Sequence, residues 1–405
     1  MTPMVRLGDV AQINPRFDKS SLADDVPVSF VQMASVGAAD GKINVSIVRP
    51  FAEVKKGSYT PFKDGDVLFA KVTPCMENGK MAVARGLTNG VGFGSSEFHV
   101  LRPSDQLDAK YLYYFVSSQA FRKEAAGHMT GAVGLRRVPA AFLADATLRL
   151  VPLDEQRRIV AEIEQQFSRL DEAVANLQRV KANLKRYKAS VLKAAVEGLL
   201  TGDNYESFNR VRLGDIVALN PRLPKDSLDD STKVSFVPMA AVGADDGSLD
   251  LSASRCYSEV RKGYTNFANG DVLFAKVTPC MENGKISVAT GLLGGYGFGS
   301  TEFHVLRARD GIDPEYVHCL VSSQSFRKEA ARHMTGAVGL RRVPTSFLET
   351  VEVSVPPLNI QRFIVAEVNR HLSIVREVEA GVNANIRHSI SLRSAVLADS
   401  FQINY

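Results

Sequence analysis

The sequence predicts a mixed α+β (α/β) protein: two homologous β-rich globules joined by two long antiparallel coiled-coil helices, a dumb-bell with pseudo-two-fold symmetry. Three observations predict it. The chain repeats itself almost end to end, each repeat opens with short β-rich runs, and each closes with apolar residues spaced for one face of a long helix.

The repeat has a spacing of 206 residues (Val5 to Val211) that falls to 205 (Gly92 to Gly297). "VRLGDVAQINPR" at Val5–Arg16 answers "VRLGDIVALNPR" at Val211–Arg222, and "GFGSSEFHVLR" at Gly92–Arg102 answers "GFGSTEFHVLR" at Gly297–Arg307. "DVLFAKVTPCMENGK" stands unchanged at Asp66–Lys80 and Asp271–Lys285, as does "HMTGAVGLRRVP" at His128–Pro139 and His333–Pro344. The one-residue shift comes from "KKGSYT" shortening to "RKGYT". A period this long is a duplicated domain, not a solenoid repeat.

The elements follow in order. Residues 1–150 form the first globule, with strands expected in "VSFVQMASV", "DVLFAKV", "EFHVLR" and "TLRLVPL" and one helical stretch in "YLYYFVSSQAFRKEAA". Residues 151–203 form the first long helix. From Asp154 to about Leu199 it contains no proline and places Ile159, Ile163, Phe167, Leu170, Val174, Leu177, Leu184, Val191, Ala195 and Leu199 on one seam. At 1.5 Å per residue such a helix extends roughly 65–70 Å. Residues 204–355 form the second globule and residues 356–405 the second helix, with Ile364, Val368, Leu372, Val375, Val382 and Val396 on its seam and Asn385 and Ser389 interrupting it. Two such stripes cannot stay solvated, and burial against each other gives a coiled coil, antiparallel if the halves are related by a two-fold.

Bulk composition narrows the class. A chain of 405 residues suits two domains or more, and 45% hydrophobic with 23% charged residues gives ample material for soluble cores. The net charge of +5 is compatible with a polyanionic partner without demanding one. No apolar run approaches the roughly 20 residues of a membrane span, and the N-terminus lacks an export-like apolar stretch. Cys75, Cys256, Cys280 and Cys319 form no C-x-x-C pair. Reduced thiols and a cytoplasmic location are therefore expected.

No catalytic constellation emerges. "NPRF" at Asn14–Phe17 and "NPRL" at Asn220–Leu223 look like an amino-methyltransferase signature, but Arg holds the third position and no Gly-rich cofactor loop follows a strand. A strand-ending Asn-Pro turn is the better account. A nuclease pattern from Asp40, Glu53 and Lys55 loses its Lys in the second copy, where Glu259 and Arg261 stand. "ENGK" lacks the glycine spacing of a phosphate-cradling loop. Cys75 with His99, or Cys280 with His304, supplies only two metal ligands per half, so no metal or cofactor site is expected in this chain.

The duplicated polar loops have another use open to them. "KVTPCMENGK" follows one apolar strand and leads into another, so it is a loop at a sheet edge, broken by Pro74 and Asn78-Gly79. Lys71 and Lys80 can meet phosphates, Thr73 and Asn78 can hydrogen-bond base edges, and Glu77 can accept from a cytosine amino group. Lys276, Thr278, Glu282, Asn283 and Lys285 repeat that set. "GAVGLRR" ends in Arg136 and Arg137, and in Arg341 and Arg342, the residue type suited to bidentate guanine or phosphate contact. The plainer alternative is that Asn-Gly turns fold hairpins and paired arginines lie solvated. Between Ala173 and Val196 the first helix carries no acid but has Arg179, Lys181, Lys185, Arg186, Lys188 and Lys193, a flank for DNA or an ordinary solvated or partner-facing surface.

The order of these blocks carries a resemblance. A β-rich domain, "TGAVGLRRVP", "VPLDEQRRIVAEIE", a long helix and "LKAAVEGLLTG", then most of it again, resembles the specificity subunit of type I restriction-modification systems. The second copy departs at Ile360, where Glu155 stands in the first, and in its ending "VLADSFQINY". The resemblance covers essentially the whole chain. It implies a non-catalytic reader of double-stranded DNA, with a target-recognition domain in each half reading one half-site in the major groove. The paired helices would act as ruler and as dock for two methyltransferase subunits and for restriction subunits. S-adenosylmethionine, ATP and Mg would belong to those partners, which methylate adenine N6 and cleave. Because the loops are identical in both halves, the expected target is an interrupted inverted repeat. The rival readings are a two-lobed protein-interaction scaffold and a fused DNA methyltransferase or nuclease.

Overall fold

The computed structural model describes residues 3–132, 134–201, 208–223, 228–337 and 339–401. The chain folds into two compact units, one of Met1–Leu177 with Ala384–Tyr405 and one of Gln178–Asn383.

In the first unit an antiparallel sheet runs in the order Ala11–Ile13, Phe98–Pro103, Val67–Ala70, Met81–Val83. A second sheet runs Val48–Pro50, Pro27–Val31, Val91–Gly94, Thr60–Lys63, with Pro27–Val31 and Val91–Gly94 parallel and the other pairs antiparallel. Val67–Ala70 reads as an unbroken apolar run because both of its faces are covered. Val67 and Phe69 enter one core, Leu68 and Ala70 another. The repeated Gly-Phe-Gly also has a packing cause. A Cβ on Gly92 would stand 2.2 Å from the Phe62 ring, and one on Gly94 2.5 Å from the Val31 carbonyl oxygen. Asp66, which opens the fifteen-residue repeat, is buried and gripped by Nε and Nη2 of Arg102, both at 2.7 Å. Asp271 and Arg307 repeat this pair at the same distances.

The expected single helix is two, Ala109–Ser117 and Gln119–Gly127. Ser118 between them is extended, and its hydroxyl accepts the Phe121 N–H, so a cap residue ends one helix and starts the next. The second unit repeats the architecture, with sheets Val217–Leu219, Phe303–Ala308, Val272–Ala275, Ile286–Val288 and Ser254–Cys256, Lys233–Val237, Tyr296–Gly299, Thr265–Ala268.

The long helices span Leu153–Val196 and Leu358–Phe401, 44 residues each. The first stops before the expected Leu199, which is exposed. Their apolar ends belong to the globules. In the first unit Val160 and Ile163 share a core with Leu397 and Phe401, whose ring lies 5.0 Å from Tyr111 and 5.7 Å from Phe115. In the second unit Val191 and Ala195 share a core with Ile364 and Val368. Within each unit the two helices run antiparallel. In the second, Lys181 donates to Asn383 at 3.1 Å and Lys188 pairs with Glu379 at 3.2 Å. In the first, Arg393 pairs with Asp171 and lies 4.3 Å over the Phe167 ring. Ser389, expected to interrupt the seam, is buried and donates to the Asn385 carbonyl of its own helix at 2.9 Å. Among the described residues no helix is long and apolar enough to cross a membrane.

Gln156 ties the first helix to its globule. The buried amide accepts the Asp108 N–H at 2.8 Å and donates to the carbonyls of Gln106 at 2.9 Å and Val151 at 2.7 Å. Gln361 makes the same three bonds to Asp313, Gly311 and Pro356. Gln156→Ala leaves these groups unpaired in the interior and is expected to cost about 2–3 kcal/mol. Exposed Arg158→Ala should stay within about 0.5 kcal/mol. Denaturant midpoints of the two variants measure the difference, and equal shifts would remove this role from Gln156.

Candidate nucleic-acid interface

After Val67–Ala70 leaves the sheet, the chain makes a compact turn before returning as Met81–Val83. Met76 N–H donates to the Val72 carbonyl at 2.9 Å, Asn78 to Pro74 at 2.9 Å, Gly79 to Met76 at 2.9 Å and Lys80 to Cys75 at 3.0 Å. Gly79 sits at φ +66°, a left-handed conformation that suits glycine. This turn is stitched to two other segments. Lys71 N–H donates to the Glu97 carbonyl at 2.9 Å, Val138 N–H to Lys71 at 2.9 Å and Thr73 N–H to Arg136 at 3.0 Å. Thr73 Oγ1 in turn accepts the Arg136 N–H at 3.2 Å. The "KVTPCMENGK" and "GLRRVP" blocks, whose bonded residues Thr73 and Arg136 are 63 residues apart in sequence, therefore form one patch. The second unit makes the equivalent backbone bonds, with Lys276 to Glu302 at 2.9 Å, Val343 to Lys276 at 2.8 Å and Thr278 to Arg341 at 3.0 Å.

The side chains of the patch divide into outward and inward groups. Asn78 and Asn283 are exposed, and Lys71 and Lys276 half-buried. None of the four makes a side-chain hydrogen bond within the described residues. Arg136 and Arg341 are held only loosely, 3.8 Å from Glu77 and Glu282 respectively. Arg137 is fixed: its guanidinium grips Glu97 through two bonds at 2.8 and 2.7 Å, and Arg342 grips Glu302 in the same way. Hydrogen bonding to these guanidinium groups holds both carboxyls below their ordinary range. Lys80 and Lys285 turn inward, unlike the phosphate contacts expected of them. The Lys80 ammonium donates to the Met33 carbonyl at 3.1 Å, and that of Lys285 to Met239 at 3.0 Å and Val242 at 2.6 Å. They fasten the turn to the neighbouring loop. Cys75 and Cys280 are half-buried free thiols.

Beneath the patch lies a support that the "NPR" motif supplies. Asn14, at φ +51°, accepts the Val100 N–H at 3.0 Å and donates its amide to His99 Nδ1 at 2.9 Å. His99 Nε2 donates to the Val138 carbonyl at 2.8 Å, immediately after the two arginines. Asn220, His304 and Val343 repeat the chain, at 3.3 and 2.8 Å. The motif is structural, and with both ring nitrogens engaged the histidines have no lone pair for a metal. Lys55 and Arg261, from the nuclease-like pattern, pair with Asp24 and Asp230 at the surface.

Sequence reasoning passed over several members of the patch. Glu97 and Glu302 clamp an arginine, and Arg122 and Arg327 donate to the Glu77 and Glu282 carbonyls at 2.6 and 2.9 Å. Leu135 and Leu340 stand 53% and 59% exposed beside the arginines. Their identity in both copies was the available signal. On the basic helix face Lys188 is paired across helices, Lys193 lies 3.7 Å from Glu197, and Lys185 lies 3.7 Å from Asp245.

The chain matches the family model of the type I restriction modification DNA specificity domain twice, over residues 3–186 and 205–388. It is similar to the specificity subunit of the type I restriction enzyme EcoAI of Escherichia coli, 39% identical over 164 residues, or 40% of this chain and 27% of that protein. The specificity subunit of EcoEI, also of Escherichia coli, is 35% identical over 176 residues, 43% of this chain and 29% of that protein. The matched stretch thus spans under a third of either relative. Among solved structures, a chain from work on complex assembly and conformational transition of the type I R-M system superposes with a TM-score of 0.76 at 21% identity, covering 99% of this chain and 98% of that one. The HsdS subunit from Thermoanaerobacter tengcongensis gives 0.64 at 20% identity over 100% and 97%. At such identities the likeness is one of fold.

The buried histidines make stability depend on pH. Desolvation holds His99 and His304 below the ordinary value of 6.5, although their backbone bonds oppose it. A lowered folded pKa means that the unfolded chain takes up the proton first. Stability is therefore full above about pH 6.5 and falls as pH drops below it. Denaturant melts between pH 7.5 and 5 should show this fall, and His99→Gln with His304→Gln should flatten it. An unchanged slope in the double variant would assign the dependence to other groups.

Proposed function

The chain belongs to the type I restriction modification DNA specificity family, and on that premise we propose that it is a non-catalytic DNA reader within a restriction-modification complex. Each unit contacts one half-site of a bipartite target. Lys71, Arg136 and their twins Lys276 and Arg341 engage phosphates or guanine, while Asn78 and Asn283 approach base edges; the Thr73 hydroxyl is spent on the Arg136 N–H and that of Thr278 is buried, so these two brace the turn from within. Glu77 and Glu282 accept from exocyclic amino groups, and Arg137 and Arg342 hold the arginine loop in register through their glutamates. The chemistry of methylation and cleavage, with S-adenosylmethionine and ATP, belongs to methyltransferase and restriction subunits docked on the long helices.

One observation carries this reading: the same polar side chains stand on the same hydrogen-bonded turn in both units. A surface that served folding alone would leave its outward residues free to diverge, whereas outward Asn78, Arg136 and Leu135 recur unchanged as Asn283, Arg341 and Leu340. Two matching readers fit two matching half-sites. The target is then an interrupted inverted repeat with identical or nearly identical halves.

Mapping N6-methyladenine in DNA modified by the assembled system tests the symmetry, and two unrelated half-sequences would sink it. Binding measurements on specific and randomised duplexes test the residues. Lys71→Ala should weaken both and lower the slope of log K against log salt by about one. Asn78→Ala should cost about 1–3 kcal/mol on the preferred duplex and relax the choice at one base pair. Equal losses for Asn78→Ala on both duplexes would count against base reading. No duplex binding with or without a methyltransferase partner would favour the protein-scaffold alternative.

A further inference from the structure

Exposure sorts what identity between the copies cannot. Of the large apolar side chains that stand exposed among the described residues, only Tyr59 with Tyr264 and Leu135 with Leu340 keep their identity across the duplication. Elsewhere such positions have diverged: Met4 answers Arg210, Ile47 answers Ala253 and Leu293 answers Thr88. A tyrosine carries a hydroxyl that serves it in water. Leu135 and Leu340 carry none, yet more than half of each side chain is exposed. A single exposed leucine is ordinary. One that is kept twice, where its fellows were exchanged for Arg, Ala or Thr, answers a demand that the fold does not make.

The backbone leaves this leucine little freedom. Thr130 and Arg137 exchange N–H···O bonds at 3.0 and 2.8 Å, and the Leu135 N–H donates to the Ala132 carbonyl at 3.0 Å. Gly131 sits at φ +122°, and a Cβ there would stand 2.9 Å from the Leu135 carbonyl oxygen, so glycine lets the loop close this tightly. The next residue, Arg136, is bonded through its own backbone to Thr73, on the turn that carries Asn78. In the second unit Leu340 donates to Ala337 at 3.0 Å, Thr335 and Arg342 exchange bonds at 3.0 and 2.8 Å, and Gly336 makes the same 2.9 Å approach to Leu340. Each leucine is a firmly held apolar point beside the donors and acceptors of its patch.

Its chemistry limits what it can meet. An isobutyl group neither donates nor accepts a hydrogen bond, so it holds neither a phosphate nor a polar base edge. The one methyl group that the base pairs present in the major groove is the C5-methyl of thymine. We propose that Leu135 and Leu340 each contact that methyl on one thymine of their half-site, which makes them specificity-determining residues. This inference rests on the DNA-reader assignment and deepens it.

The test uses the full-length chain assembled with a methyltransferase partner, and a preferred duplex selected from a randomised pool. Each thymine is replaced in turn by deoxyuridine, which removes the methyl and keeps every hydrogen bond of the base pair. One replacement in each half-site should weaken binding about fourfold, the worth of one buried methyl. Leu135→Ala should lose about the same factor on the thymine duplex and nothing further on the deoxyuridine duplex. It should erase the sensitivity in one half-site, and Leu340→Ala in the other. Ile47→Ala, a change the second copy already carries, should leave both intact. Selective binding that no deoxyuridine alters overturns the leucine contact alone, whereas no selective binding at all removes the DNA-reader assignment and the contact with it. An equal loss for Leu135→Ala on thymine and deoxyuridine duplexes overturns the methyl contact in favour of an apolar wedge between base steps. Weaker association of Leu135→Ala with the methyltransferase partner in the absence of DNA overturns it in favour of a protein contact.

Discussion

Each globule depends on apolar surface that a long helix brings to it. Val160 and Ile163 enter the first core beside Leu397 and Phe401, and Val191 and Ala195 enter the second beside Ile364 and Val368. Removing those side chains would uncover Tyr111, Phe115 and Tyr316, among the largest buried residues of their units. Burial of large aromatic and aliphatic groups is the dominant favourable term in a fold of this kind. The helices are thus part of the cores, and Gln156 and Gln361 fasten them by satisfying backbone groups at the junction.

On that base, the patch proposed to meet DNA is built from backbone first. Three chain segments meet through main-chain hydrogen bonds, His99 ties the arginine loop from below, and Glu97 fixes one of the two arginines. The side chains proposed to meet DNA are those left over once these ties are made. Pre-positioning of this kind reduces what binding must spend in ordering loops and side chains.

Much of this was legible in the sequence, for physical reasons that differ from element to element. The duplication announced two similar units, and the apolar period of the stretch from Asp154 announced a helix, because a long regular stripe has few other meanings. The break at Ser118 was hidden, since "YLYYFVSSQAFRKEAA" is apolar at helical spacing throughout and only a cap geometry separates its halves. Lys80 and Lys285 turn inward, against expectation, for a related reason. A lysine in a polar loop is usually solvated, and nothing in "ENGK" says that its ammonium will find the carbonyl of a loop some 46 residues away. Identity between the copies marks what both must keep, but it does not separate inward ties such as Glu97 from outward groups such as Asn78. Only the three-dimensional arrangement does that.

The Glu97–Arg137 clamp and its twin have a consequence for how such a protein can change. Because the turn holds its shape through main-chain bonds and inward side chains, residues such as Asn78 and Arg136 can be exchanged without refolding their supports. On the proposed reading, preference for a new base sequence would become accessible through one or two substitutions in one unit, while the other kept its old choice. A duplicated reader of this design would begin with two like halves and could drift, one side chain at a time, into a reader of two unlike words.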